Sequence, residues 1–200
     1  MKDISVKALA KINLGLDVVR KREDGYHEVR MVMQTIHLFD RLEISKNTSG
    51  EITMETNLSF LPTNENNLVY KAAKLLQDEF AIKDGVHVWL HKYIPVAAGM
   101  AGGSTDAAAV LYGMNQIFDL GLTREELMER GVKIGADVPY CIMRGTALAE
   151  GIGEKLSKLP PMVKCPVLIA KQKISVSTKF VYENLKLCYD IVQQDIYRPV

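Results

Sequence analysis

Pro95-Val-Ala-Ala-Gly-Met-Ala-Gly-Gly-Ser-Thr105 runs directly into a segment whose apolar residues, Ala107, Val110, Leu111, Met114, Ile117 and Phe118, recur at three and four. That spacing places them on one buried face of a helix, with Ser104 and Thr105 at its N-terminus. Gly99, Gly102 and Gly103 permit backbone conformations and close approaches that a β-carbon forbids, and the N–H groups opening a helix point at whatever occupies the loop. An anion is the natural guest. The loop lacks the Gly-Lys-Ser/Thr ending of a Walker-type P-loop and the Gly-x-Gly-x-x-Gly spacing of a dinucleotide fold. Taken alone, such glycines also make tight strand-to-helix connections, and Ser104 and Thr105 also serve as ordinary helix caps.

On the C-terminal side, Thr123-Arg-Glu-Glu126 fits a capping box that starts a helix ending near Gly131 to Gly135. On the N-terminal side, Asn67 precedes Leu68, Ala72, Leu75, Leu76 and Phe80, an amphipathic helix with an Asn cap. Residues 4–19 read as extended structure and the charged stretch 20–25 as a turn. Strands are expected at residues 41–45, 51–56 and 86–93, the first two joined by a hairpin turn at Asn47-Thr-Ser-Gly50 and paired antiparallel. Further strands are expected at 145–150 and 167–170, with Pro160, Pro161 and Pro166 marking a domain change near 155–165. Thr178 is placed to cap a last helix carrying Val181, Leu185, Cys188 and Val192.

The 200 residues, 48% hydrophobic and 24% charged, have the composition of a globular protein. A net charge of +1 makes any anion site local and argues against broad nucleic-acid binding. Neither a signal peptide nor an apolar run of roughly 20 residues is present, so a cytoplasmic protein without membrane partners is expected. Cys141, Cys165 and Cys188 lack a Cys-x-x-Cys pair and are expected as free thiols.

Phosphoryl transfer to an alcohol needs a base for the hydroxyl, positive charge against the phosphate, and usually Mg²⁺. Asp137, in Gly135-Ala-Asp-Val-Pro-Tyr140, suits either the base or a helix cap. Lys11, in the largely apolar Ala8-Leu-Ala-Lys-Ile-Asn-Leu-Gly15, is costly to bury unless paired, or else faces solvent. Asp106 follows the loop and reads as a first-turn acid, with magnesium binding or base chemistry as alternatives. His87 and His91 fall on a strand, where they are about 13 Å apart and no metal pair. Trp89 is expected in the core.

Together, Lys11-Ile-Asn13-Leu, residues 95–108 and Gly135-Ala-Asp-Val-Pro139 resemble the GHMP kinases, the galactose, homoserine, mevalonate and phosphomevalonate kinase superfamily. Asp24-Gly-Tyr-His-Glu28 and Asn66-Asn-Leu68 are most similar to the branch whose acceptor is a cytidine diphosphate alcohol. The resemblance implies an α+β, two-domain GHMP kinase-like fold, with a ribosomal protein S5 domain 2-like N-terminal domain at 1–158 and an incomplete C-terminal α/β domain at 159–200.

It also implies phosphorylation of the acceptor's 2-hydroxyl by ATP, with Asp137 as general base, Lys11 as its electrostatic partner and Asn13 beside the substrate. Pro95, Val96, Ala97, Ala98, Gly99, Met100, Ala101, Gly102, Gly103, Ser104 and Thr105 would hold the ATP phosphates. Mg²⁺ would come with ATP, near Ser104, and Asn67 would lie by the adenine. Tyr26 and Tyr182 would sandwich the cytosine while His27 hydrogen-bonds its edge. The family carries a third, C-terminal glycine-rich motif that does not occur after Gly153, so an inactive nucleotide-binding piece is an alternative, as is another GHMP small-alcohol kinase. A monomer or weak homodimer is expected.

Overall fold

The structure, a computed structural model, describes residues 3–172 and 178–185. Strands β1 (Asp3–Lys21) and β2 (His27–Asn47) form a long antiparallel hairpin closed by a hydrogen bond from Arg22 N to Tyr26 O (2.8 Å). One edge of β2 is taken by β1. Two strands share the other edge: residues 29–34 pair with β5 (Thr146–Gly151), and residues 41–47 pair with β4 (Gly85–His91). Between Thr35 and Asp40 the sheet therefore forks. β3 (Ile52–Thr56) lies parallel to β4 on the outside, and β6 (Lys155–Lys158) lies antiparallel to β5.

Helix α2 (Gly102–Ile117) packs on β1 and β2 and also contacts α1 (Leu68–Glu79), α3 (Arg124–Val132) and α4 (Val138–Met143). Ala107, Val110, Leu111 and Met114 meet Leu42, Ile44, Val88 and Leu90 in the main core, all at most 1% exposed. Burying each larger apolar side chain contributes roughly 1.5–3 kcal/mol. Asn67 Oδ1 accepts from Val69 N (3.0 Å) and caps α1, and the Thr123–Glu126 capping box starts α3, as their sequences predict.

The expected β2–β3 hairpin does not form. Asn47 does make the turn, accepting from Ser49 N (3.0 Å) and donating to Glu51 O (3.2 Å), but β4 inserts between the two strands. Val86, Val88 and Leu90 are all nearly inaccessible, whereas β3 buries only Met54, so the more apolar strand takes the interior position.

Trp89 lies on the opposite face of β4, half-buried and stacked on His91 at 4.0 Å, outside the core. Residues 167–170 form no strand: among the described residues none pairs with them, and Leu168 is 96% exposed. Helix α5 (Thr178–Glu183) stops short of the expected length, and Cys188 and Val192 lie outside the described residues. Cys141 is a buried free thiol and Cys165 an exposed one.

Candidate active site

The register of β1 against β2 slips between Leu9 and Lys11. Ala10 and Lys11 are consequently buried in succession, at 0% and 5% exposure, where an unbroken strand would turn one of them outward. Such a bulge bends the strand and re-aims a side chain. Two hydrogen bonds tie it to the glycine loop: Lys11 N donates to Met100 O (3.2 Å) and Thr105 Oγ1 donates to Leu9 O (2.8 Å).

Asp137 stands at the N-cap position of α4, yet its side chain makes no cap bond. Its Oδ2 lies 3.7 Å from Lys11 Nζ, with the carboxylate about one-third exposed and the lysine nearly buried. Lys11 Nζ also donates to Asn13 Oδ1 (3.1 Å), and Asn13 Nδ2 leans on Met31 Sδ (3.6 Å). Lys11, Asn13 and Asp137 thus form one group open to solvent on the aspartate side. Tyr140, one turn into α4, donates its hydroxyl to Gly145 O (2.7 Å) and contacts Thr35 Oγ1 (3.0 Å), which anchors the helix to β2. Burial pushes that phenol up to about 12 and also raises the Cys141 thiol beside it.

The loop crosses the fork of the sheet. Ile94 and Met100 pack beneath it with Ala10 and Ile36, while Pro95, Val96, Ala97 and Gly99 are exposed. Backbone φ is positive at Ala97 (54°), Gly99 (69°) and Ala101 (55°) but not at the residues between. Alternating handedness of this kind turns successive N–H groups into one concavity, an anion-binding nest. The nest runs into the start of α2, whose N-cap residue, Ala101, offers no side-chain acceptor to the first-turn N–H groups. At Ala97 and Ala101 the left-handed conformation is held against the steric preference of an L-residue, at roughly 1–2 kcal/mol each.

The other expected nucleotide residues divide. A β-carbon added at Gly103 would meet Leu68 Cδ1 at 3.5 Å, so the loop packs against the start of α1. Asn67 is there, but Oδ1 caps α1 and Nδ2 donates to Pro62 O (2.8 Å). A β-carbon at Gly135 would lie 4.0 Å from Ser104 Oγ, which puts that hydroxyl beside the Asp137 segment. Thr105 caps nothing: it is 2% exposed, its hydroxyl is taken by Leu9 O and its amide by Ala101 O (2.8 Å).

Tyr26 is 61% exposed on the β1–β2 turn, where its amide donates to Asp24 Oδ1 (3.0 Å). His27 stacks on Tyr182 at 5.0 Å. Burial, and secondarily the negative Asp137, raise the Tyr182 phenol, so this residue also belongs to the Asp137 neighbourhood. No cluster of three or more His, Cys, Asp or Glu side chains suits a metal among the described residues. His87 Nδ1 contacts Thr53 Oγ1 (2.9 Å).

Sequence reasoning missed a buried cluster beneath the loop. Lys92 Nζ donates to both Asp40 and Asp106, the latter at 2.8 Å. Asp40 Oδ1 also accepts from Tyr93 N (2.5 Å) and Ile94 N (2.8 Å). Asp106 is therefore no exposed first-turn acid. It is 2% exposed, Oδ1 has no hydrogen-bond partner among the described residues, and burial, offset only in part by Lys92, pushes its carboxyl up to about 8. A signal was available: Lys92 continues the period-2 buried face of Val86, Val88 and Leu90, and a lysine there requires a partner.

Residues 67–145 match the family model of the GHMP kinases N terminal domain. A 4-diphosphocytidyl-2-C-methyl-D-erythritol kinase of Lachnoclostridium phytofermentans is 63% identical over 184 residues, which is 92% of this chain and 63% of the relative. A crystal structure of 4-(cytidine 5'-diphospho)-2C-methyl-D-erythritol kinase superposes with a TM-score of 0.77 at 34% identity, covering 92% of this chain and 65% of that one. Homoserine kinase from Cytophaga hutchinsonii shares the fold (TM-score 0.63, 18% identity, 79% and 52% covered). The chain thus spans somewhat less than two thirds of the length of the first of these relatives.

Proposed function

We propose that this chain is a member of the GHMP kinases and the larger part of a kinase that moves the γ-phosphate of ATP to a hydroxyl of 4-diphosphocytidyl-2-C-methyl-D-erythritol, its 2-hydroxyl on the family resemblance, in isoprenoid precursor synthesis. The carrying observation is the Lys11–Asp137 pair, held at the phosphate loop by the hydrogen bond from Lys11 N to Met100 O. Asp137 Oδ2 is exposed enough to accept the acceptor's hydroxyl proton as the oxygen attacks. Lys11, steered by Asn13, steadies the charge developing on that oxygen. The loop N–H groups between Ala97 and Ser104 hold the transferring phosphate in line. Thr105 is left out of this contact set, because its polar groups face β1 and Ala101. Asn67 borders the adenine through its position rather than through a free amide.

Magnesium fits here only as an ion carried by the nucleotide. Ser104 Oγ, beside the Asp137 segment and without a hydrogen bond among the described residues, would be its protein ligand. The ion, when bound, neutralises charge on the phosphates. Tyr26, His27 and Tyr182 supply the aromatic surface for the cytosine, and His27 the polar contact to its edge.

No helix among the described residues is long and apolar enough to cross a membrane, and we read the protein as a cytoplasmic monomer or weak homodimer. Residues 159–172, without regular structure beyond β6, open a second domain in this reading. The partial span of the relatives favours one alternative, a nucleotide-binding portion without transfer activity. The deciding assay follows phosphate transfer from Mg-ATP to the cytidine substrate, with mevalonate and homoserine as competing acceptors. Turnover of either competitor but not of the cytidine substrate rejects the proposed acceptor. Nucleotide binding with no transfer to any of the three leaves the alternative.

A further inference from the structure

Lys92 and Asp106 bracket the phosphate loop, one immediately before it and one in the second turn of the helix after it. Their 2.8 Å contact joins the loop's two ends. Asp40, from β2, secures the same lysine and accepts hydrogen bonds from the amides of Tyr93 and Ile94 at the loop's entry. The ammonium lies directly under the nest: a β-carbon at Gly102 would come within 3.0 Å of Lys92 Nζ. All three side chains are at least 93% buried, so they cannot serve as ligands at the surface. Burying three ionisable groups is costly and is retained where it specifies one arrangement.

We propose that Asp40, Lys92 and Asp106 form a tie that holds the loop in its anion-binding shape, making Asp106 a positioning residue for the nucleotide. The inference rests on the reading of the loop as a nucleotide phosphate site. Asp106→Ala opens the tie at one end while leaving the buried Lys92–Asp40 pair balanced in charge. Asp106→Asn keeps an acceptor for Lys92 and so keeps the tie.

The test measures affinity of this chain for a non-hydrolysable ATP analogue with magnesium, and for CDP, in the unaltered chain and both variants. Asp106→Ala is expected to weaken the ATP analogue about tenfold or more, the effect of one lost well-placed hydrogen bond, with CDP affinity unchanged and Asp106→Asn within about threefold of the unaltered chain. A purely structural role would lower stability but not shift one ligand against the other. A folded Asp106→Ala chain that binds the analogue within about twofold of the unaltered chain overturns the tie. Should that variant not fold, amide exchange of the unaltered chain decides: Tyr93 and Ile94 must exchange as slowly as the interior of α2, and rapid exchange there rejects the proposal. If the unaltered chain binds no ATP analogue, the nucleotide reading itself fails and the inference with it.

Discussion

Lys11 and Asp137, far apart in the chain, meet at 3.7 Å because a bulge turns the lysine out of its strand register and α4 leaves the aspartate uncapped. Neither side chain caps or closes the fold at this point. Asp137, one-third exposed and capping nothing, can therefore be altered at less structural cost than the nearly buried Lys11.

Asp137→Ala should reduce phosphate transfer by about 10²- to 10⁴-fold, the range for loss of a positioned base, while the affinity for an ATP analogue stays nearly constant. Rapid-quench turnover alongside equilibrium binding checks this. Transfer at a comparable rate would remove Asp137 from the base role.

Relieving the loop's backbone should stabilise the fold. Ala101→Gly removes a β-carbon held at φ 55°, and the steric gain of roughly 1–2 kcal/mol outweighs the entropic cost of glycine, about 0.5–1 kcal/mol. Ala109→Gly, inside the same helix, has no such gain and should cost about 1 kcal/mol for the backbone and roughly 1 kcal/mol more for its buried methyl. Urea midpoints moving in opposite directions would bear this out, and a shared fall would contradict it.

Two glycines separate rigid from yielding contacts. A β-carbon at Gly85 would sit 2.1 Å from Asn47 Oδ1, which can turn away, but also 2.3 Å from the backbone oxygen of Glu51, which cannot move without breaking its hydrogen bond from Val86 N at the head of the parallel ladder. At Gly113 the nearest atom is the tip of Ile44, at 2.4 Å, which can change rotamer. Gly85→Ala should thus cost about 3 kcal/mol or more and Gly113→Ala nearer 1 kcal/mol in chemical denaturation. The opposite order would mean that the sheet adjusts more readily than the core.

Asp106 couples stability to pH. Its folded carboxyl is raised to about 8, chiefly by burial, whereas an unfolded aspartate releases its proton near 4. Between those values the folded chain holds the extra proton, so the residue's stabilising contribution is full at the acid end and is lost as pH rises toward 8. Asp106→Asn does not titrate and should gain on the parent steadily from pH 4 to 8. Parallel urea titrations of the two chains check this, and a constant difference would refute it.

The glycine loop, the Asn67 cap and the Thr123 capping box were legible because each depends on neighbours in sequence. Lys11 and Asp137 were legible as candidates through residue type and setting, and their meeting was not. Lys92 carried a signal, as a lysine continuing the buried face of β4, but Asp40 is unremarkable within β2, and neither partner could be assigned until β2 and β4 face α2. The β2–β3 hairpin failed for a related reason: the turn was read correctly, but the competition of β4 for the inner position is a contest between distant segments.

The fork in the sheet separates two length scales. β4 and β5 each take their register from β2 independently, and the loop enters where neither pairs with it. A residue inserted near Ala98 would then reshape the anion nest without being transmitted as a frame shift to either strand pair. Amide exchange across β4 and β5 would register any such slip. The architecture confines variation to the part that meets the ligand, so one scaffold can host phosphate loops of different length while its core keeps a single solution.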